Sequence, residues 1–418
     1  MIDSPNAREG VLPNHQLEEA VRQGAIGTSS GGVPKENIQP ASLDLRLGRW
    51  AYQMQCSFLP AGQTVEERFK DLVIDRISLR NKGGAVLAPG RPYLIPLKEE
   101  LDLPATIRAK ANPKSSTGRA DVFTRVITDR GYRFDEIEPG YRGGLYLEVV
   151  PLSFPVRVAE NLTLNQLRLS RGQAQIQLTD REIAEYHQHT APLLFAEGRT
   201  VENLQLGNGL FLGLDLSGDN GRYVGYRAKG SPPLLDLRRS RQADTDRYWD
   251  RVRSEPGNRI VLQPRAFYLL MSYEAVTIPP DLAAEMTAYD PTSGELRTHY
   301  AGFFDPGFGY DRDGAFRGST AALEVRAHDV PFMIEDRQPV CKLTFERMAE
   351  EPSQLYGDAI GSNYQRQTET LGKHFVPPGN YPKQRAPGKT QPGDEEDLLD
   401  LLGVSDGSRL TVETGDDE

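Results

Sequence analysis

Six consecutive residues, Lys114-Ser115-Ser116-Thr117-Gly118-Arg119, combine three hydroxyls, one glycine and two cations. Glycine lets backbone N–H groups approach a ligand closely, and arginine can grip a phosphate through two parallel hydrogen bonds. The set is suited to holding a phosphate chain, although the Gly-x-x-x-x-Gly-Lys-Ser/Thr spacing of a P-loop is absent. Further on, Glu138-Pro139-Gly140 makes a turn that leads into Leu145-Tyr146-Leu147-Glu148. A carboxylate at the end of a largely buried strand is partly desolvated. Its pKa then rises, and it can accept and return a proton. An exposed strand-end glutamate is the commoner outcome of such a pattern.

Short strands and tight turns must position these groups. Glycine (40) and proline (30) are abundant among the 418 residues, which favours many strands over long helices. Residues 11–25 read as a short amphipathic helix with Leu17, Ala20, Val21 and Ala25 on one face and Asn14 as N-cap. Ser42-Leu43-Asp44-Leu45-Arg46-Leu47 alternates apolar and polar residues, which predicts a half-buried strand. A weak internal repeat is visible at a spacing of 175 residues: Leu87-Ala88-Pro89-Gly90-Arg91-Pro92-Tyr93-Leu94 against Leu262-Gln263-Pro264-Arg265-Ala266-Phe267-Tyr268-Leu269. Both stretches later reach a Pro-Gly turn and a strand ending Leu-Glu, at Glu148 and Glu324. A tandem duplication follows, with copies at 11–180 and 200–375, a polar helical linker at 181–199 and an acidic, disordered tail at 376–418. Asp236 to Arg253 carries dense mixed charge and reads as a solvated helix or loop.

The net charge of −10 argues against a general nucleic-acid binder but leaves room for a small anionic ligand. Two distant cysteines, Cys56 and Cys341, point to a reducing compartment. No apolar run approaches the roughly 20 residues of a membrane span, and Met1–Gly10 has no secretory signal. A cytoplasmic protein is the expectation. His187-x-His189 reads as a solvated pair rather than a metal site, and Gly302–Gly309 as aromatic packing.

These segments, with Ile38-Gln39-Pro40-Ala41-Ser42-Leu43-Asp44-Leu45-Arg46-Leu47-Gly48, resemble the dCTP deaminase branch of the dUTPase-like family. Its members carry Arg-Ser-Ser-x-Ala-Arg, then an Asp-Pro-Gly turn, then a strand ending Val-Leu-Glu. The resemblance implies two tandem dUTPase-like β-barrels, mainly antiparallel, acting as a homo-oligomer. It implies zinc-independent hydrolysis of dCTP to dUTP and ammonia, with Mg²⁺ entering only on the triphosphate. Glu148 inherits the proton-shuttle role, Ser115 the placing of water, and Arg119 the tuning of Glu148. Lys114, Ser116, Thr117 and Gly118 fall in the phosphate loop, Glu138 at the sugar or base, and Tyr146 and Leu147 on the strand. A family tail of the form Tyr-x₆-Lys-Tyr-x-x-Gln falls on Tyr356, Asn363, Tyr364 and Gln367, with Asn363 replacing the lysine. An insertion between Val126 and Ile137 leaves Thr128 and Arg130 as the nearest matches to the family's water-binding carbonyl and adjoining arginine. In the second copy Glu295 stands where the first has Arg119, which reads as a degenerate site. Pyrophosphate release from dUTP, alone or coupled to deamination, is one alternative. An inactive sensor of dCTP, dUTP or dTTP is another.

Overall fold

Strand Leu43–Arg46 alternates as a half-buried strand should, yet all four of its residues are buried. Its polar side is covered by partners instead of water. The Arg46 Nε donates to Glu99 at 2.6 Å, and Lys114 reaches across to Asp44. Buried charges survive only when paired in this way. The N-terminal helix is also shifted from expectation. It runs Asn14–Arg22 with Pro13 at the N-cap, so Asn14 is its first helical residue and gives its amide to Ser353 instead.

The computed structural model describes residues 7–172, 176–217, 223–288, 296–298, 302–311, 317–327, 329–357 and 370–377. The expected acidic tail, apart from its first two residues, lies outside them. The described chain is mainly β, with few and short helices. In the N-terminal half, strand Tyr93–Asp102 lies between Trp50–Met54 and Arg142–Pro151, with Val73–Ser78 and Val122–Thr128 beyond them. A second sheet there holds Thr163–Arg171 between Ile107–Pro113 and Leu43–Arg46.

The same pairing order occurs again in the C-terminal half. Phe267–Val276 lies between Tyr223–Ala228 and Ser319–Ala327, and Pro339–Arg347 lies between Leu282–Ala288 and Leu210–Gly213. Helix Asp180–His189, started by a Thr179/Glu182 capping box, precedes this half as Asn14–Arg22 precedes the first.

The two halves are joined by buried contacts. Arg168 donates to Asp305 and Glu346, each at 3.1 Å, and to the Ala284 carbonyl at 3.0 Å. Lys110 and Asn112 both reach Glu285, at 2.6 and 3.0 Å. The charged stretch from Asp236 is not a solvated excursion. Leu235–Asp236 pairs in parallel with Val156–Arg157, and Trp249 is buried among Phe154, Phe267 and Phe375. Its charges form local pairs such as Asp236–Arg238, while its aromatic residues enter the core. Charge density alone does not reveal that division.

Candidate active site

The phosphate-loop candidate forms a single helical turn. Lys114 is extended at its N-cap, Ser115–Gly118 are helical, and Arg119 closes it. Ser115 is exposed, whereas Ser116, Thr117, Gly118 and Arg119 are buried. Arg119 donates from Nε to the Ser115 hydroxyl at 3.1 Å and from Nη1 to the Thr370 carbonyl at 3.2 Å. Lys114 is held by Asp44 and by the Thr163 hydroxyl.

The carboxylate that meets this turn is Glu324, not Glu148. It comes from strand Ser319–Ala327 in the other half of the chain. A Cβ on Gly118 would lie 2.5 Å from each Glu324 oxygen, so the carboxylate rests directly on the glycine. Glu324 is only 8% exposed. Burial pushes its pKa well above the usual carboxylate value, Arg119 pulls it back, and Asp121 pushes it further up. Two residues along the strand, Arg326 donates to Asp121, which also accepts from Ser153. The strand is therefore anchored to the N-terminal half just beyond the loop.

Glu148 is buried as expected, at 3% exposure, but its partner is different. Antiparallel register places Arg125 directly opposite it. Nε and Nη2 of Arg125 both donate to Glu148 Oε1, at 3.1 and 2.5 Å. The guanidinium lies 3.7 Å from the Phe134 ring centre and also reaches the Ser57 hydroxyl. Phe134 belongs to the inserted stretch, so the insertion packs onto the Arg125–Glu148 pair. Arg119 is not brought to it.

The remaining expected residues scatter. Thr128, Arg130 and Glu138 share a cavity of about 550 Å³ with Thr64, Tyr132 and Arg142, lined by neither Ser115 nor Glu148. Leu147 is core, and Tyr146 packs with Met54, Val65 and Ile127. Burial lifts the Tyr146 phenol to about 12. Tyr356 packs at 5.7 Å on Phe308, which packs on Phe304. The aromatic run is thus core packing. Asn363, Tyr364 and Gln367 lie outside the described residues, as does the second-copy loop ending at Glu295. His187 is buried rather than solvated: its ring bonds the Val201 carbonyl and accepts from the Leu193 N–H.

Comparison with known proteins bears directly on this arrangement. Residues 8–173 match the family described as the 2'-deoxycytidine 5'-triphosphate deaminase (DCD) N-terminal domain, and residues 179–375 match its C-terminal domain. A crystal structure of 2'-deoxycytidine 5'-triphosphate deaminase from Agrobacterium tumefaciens is 40% identical, with a TM-score of 0.76. The match covers 83% of this chain and 100% of that one. The chain belongs to the dCTP deaminase family. A dUMP-forming dCTP deaminase of Methanoculleus marisnigri is 32% identical over 184 residues, which is 42% of this chain and 85% of that protein. A dCTP deaminase of Natronomonas pharaonis is 27% identical over 158 residues, 38% of this chain and 78% of its own.

Against the family pattern, the acid-Pro-Gly turn that reaches this neighbourhood is Asp305-Pro306-Gly307. Asp305 is buried and accepts from Ser42 at 3.1 Å and from Arg168; burial raises the pKa of Asp44 beside Lys114, and Asp305 adds to that rise. Glu138, its counterpart in the first half, is exposed. Asp305 also matches the family's Asp-Pro-Gly more closely than Glu138 does. That match is a usable signal for taking the loop from one half and the strand from the other. Among the described residues no helix is long and apolar enough to cross a membrane.

Proposed function

We propose that this chain deaminates dCTP hydrolytically, at a site built from Lys114–Arg119 of the N-terminal half and Glu324 of the C-terminal half. The observation that carries the proposal is the Glu324 carboxylate seated on Gly118 beside Arg119. Deamination needs a water delivered to an electron-poor ring carbon, removal of its proton, and protonation of the departing amine. One carboxylate can perform both transfers when its pKa lies close to the working pH. Burial moves Glu324 in that direction, and Arg119 keeps its ionised form accessible. The exposed Ser115 hydroxyl, bonded to Arg119, holds the water. Lys114 and the loop hydroxyls take the phosphates, with Mg²⁺ arriving on the triphosphate. Glu148 is left as a structural ion pair.

The architecture we infer is a tandem pair of dUTPase-like barrels, supported by the recurring strand-pairing order and by the separate family matches of the two halves. We take dUTP and ammonia as the products. A second reading, in which pyrophosphate is also released to give dUMP, is favoured by the dUMP-forming relative. Anion-exchange analysis of full-length protein incubated with dCTP and Mg²⁺ tests both. Formation of dUTP supports the first, and dUMP with pyrophosphate the second. No consumption of dCTP by the wild type overturns both and leaves a nucleotide-binding protein without turnover.

A further inference from the structure

Just past the helical turn at Lys114–Arg119, Asp121 adopts a left-handed backbone, with a φ of 53°. A Cβ makes that conformation costly, although aspartate tolerates it better than most residues. The turn itself does not demand an acid there. The Asp121 N–H donates to the Gly118 carbonyl at 2.8 Å, and a glycine would make the same bond with less strain. The reason for a carboxylate lies in what it holds. Asp121 is fully buried, and its Oδ2 accepts from the Arg326 Nη2 at 2.5 Å and from the Ser153 hydroxyl. Its carbonyl accepts from the Leu152 N–H at 2.9 Å.

Three elements thus close on one residue. The first is the 114–119 turn, which leads directly into Asp121. The second is the exit of strand Arg142–Pro151, through Leu152 and Ser153. The third is strand Ser319–Ala327, which carries Glu324 two residues before Arg326. Residues two apart on a strand share a face. The hold on Arg326 therefore also fixes the side of the strand from which Glu324 meets Gly118. Arg326 is itself restrained: its guanidinium lies 5.6 Å from the Phe267 ring centre, and its Nη1 donates to the Arg265 carbonyl.

We propose that Asp121 is a positioning residue for the reaction, holding the Glu324 carboxylate over Gly118 by way of Arg326. The inference rests on the dCTP reading for the reaction, but not for the three-way contact. A second effect accompanies the first. Burial is the main reason Glu324 keeps its proton; Arg119 loosens that proton, and the Asp121 charge tightens it again. Leu269, opposite Glu324 on the neighbouring strand, is apolar and adds no charge. Asp121→Asn keeps the shape and removes the charge, so Glu324 ionises more readily.

The test uses full-length Asp121→Asn, Arg326→Gln and the double variant, with kcat and KM for dCTP followed across pH. Each single exchange should lower kcat about 10- to 100-fold with KM held within a few-fold, the scale on which small misplacements of a reacting group act. The double variant should be no more impaired than the worse single one, because both exchanges break one contact. In Asp121→Asn the acid limb of the kcat/KM profile, where Glu324 gains its proton, should also move to lower pH. Single variants that lose melting temperature but keep kcat and the limb overturn the proposal, as do losses that multiply in the double variant. Should Asp121→Asn not fold, Arg326→Gln decides by the same comparison of kcat with KM. Should the wild type not consume dCTP, the functional reading fails separately, and Glu324 is followed without substrate. The stabilities of wild type and Glu324→Gln diverge as pH passes through the Glu324 ionisation. Losing the Asp121 charge and releasing Glu324 toward water both favour ionisation. A divergence moved to lower pH in the Asp121→Asn background sustains the inference, and an unmoved one ends it.

Discussion

Exchanging each of the two strand glutamates, Glu148 and Glu324, for glutamine should move activity and stability in opposite directions. Glu324 is buried against Gly118, and the strongest influence on its carboxyl is desolvation. Its folded pKa lies above the unfolded value, so ionising it opposes folding. Stability therefore falls as pH rises from the ordinary carboxylate range to the shifted pKa. Glu324→Gln removes that cost at neutral pH while keeping the shape. The melting temperature should stay level or rise, and kcat for dCTP should fall about 10²- to 10⁴-fold, the usual worth of a positioned acid–base group. Glu148 behaves in the reverse manner. Its carboxylate takes two hydrogen bonds from Arg125, and the pair is largely buried. Glu148→Gln leaves the Arg125 charge without its counter-ion, at a cost of about 1–3 kcal/mol, discounted because Arg125 retains some solvent contact. The melting temperature should drop and kcat should stay within a few-fold. Steady-state ammonia release and scanning calorimetry on both variants supply the comparison. If Glu148→Gln abolishes turnover while Glu324→Gln spares it, the shared site is wrong and the chemistry belongs to the first half alone.

Other expectations follow from the same contacts. Gly118→Val would drive a branched side chain into the Glu324 carboxylate; kcat should fall at least about 10²-fold, as small misplacements of reacting groups do, with the fold retained by circular dichroism. Arg168→Met strands Asp305 and Glu346 at the junction of the halves. Breaking such a buried network costs about 3–5 kcal/mol, and a urea titration should show it. His374 is buried, and its pKa is lowered from 6.5 to about 4, chiefly by desolvation. Because the folded pKa is the lower one, its neutral form stabilises the fold above the ordinary histidine pKa, and that contribution is lost as pH falls toward the shifted value. The loss is at most about 3 kcal/mol. It should appear as acid-induced release of Thr370–Val376, read by the fluorescence of Trp249, which packs on Phe375, and His374→Gln should remove the dependence over that range.

The groups capable of chemistry were legible in the sequence because their meaning is local. Six residues make the helical turn at 114–119 whatever surrounds them, and the alternation at Leu43–Arg46 names a strand wherever it packs. The mainly β character followed from turn residues and strand-length patterns for the same reason. Several local expectations still failed where tertiary contacts outweighed pattern. Asp44 and Arg46 are buried because Lys114 and Glu99 reach them, and Trp249 carries a charged stretch into the core.

The choice of carboxylate was of another kind. Glu148 and Glu324 follow similar Leu-Glu patterns inside strands Arg142–Pro151 and Ser319–Ala327, and nothing local separates them. Register sets Arg125 opposite Glu148 and commits that acid to an ion pair. Packing of the two halves, held by Arg168, Lys110 and Arg326, brings Glu324 onto Gly118 although the two lie in different halves of the chain. Residue types and their spacing established which groups were available and what each could do. Which of them met was left to the packing of the halves, because burial and charge pairing depend on neighbours that are close in space and distant along the chain.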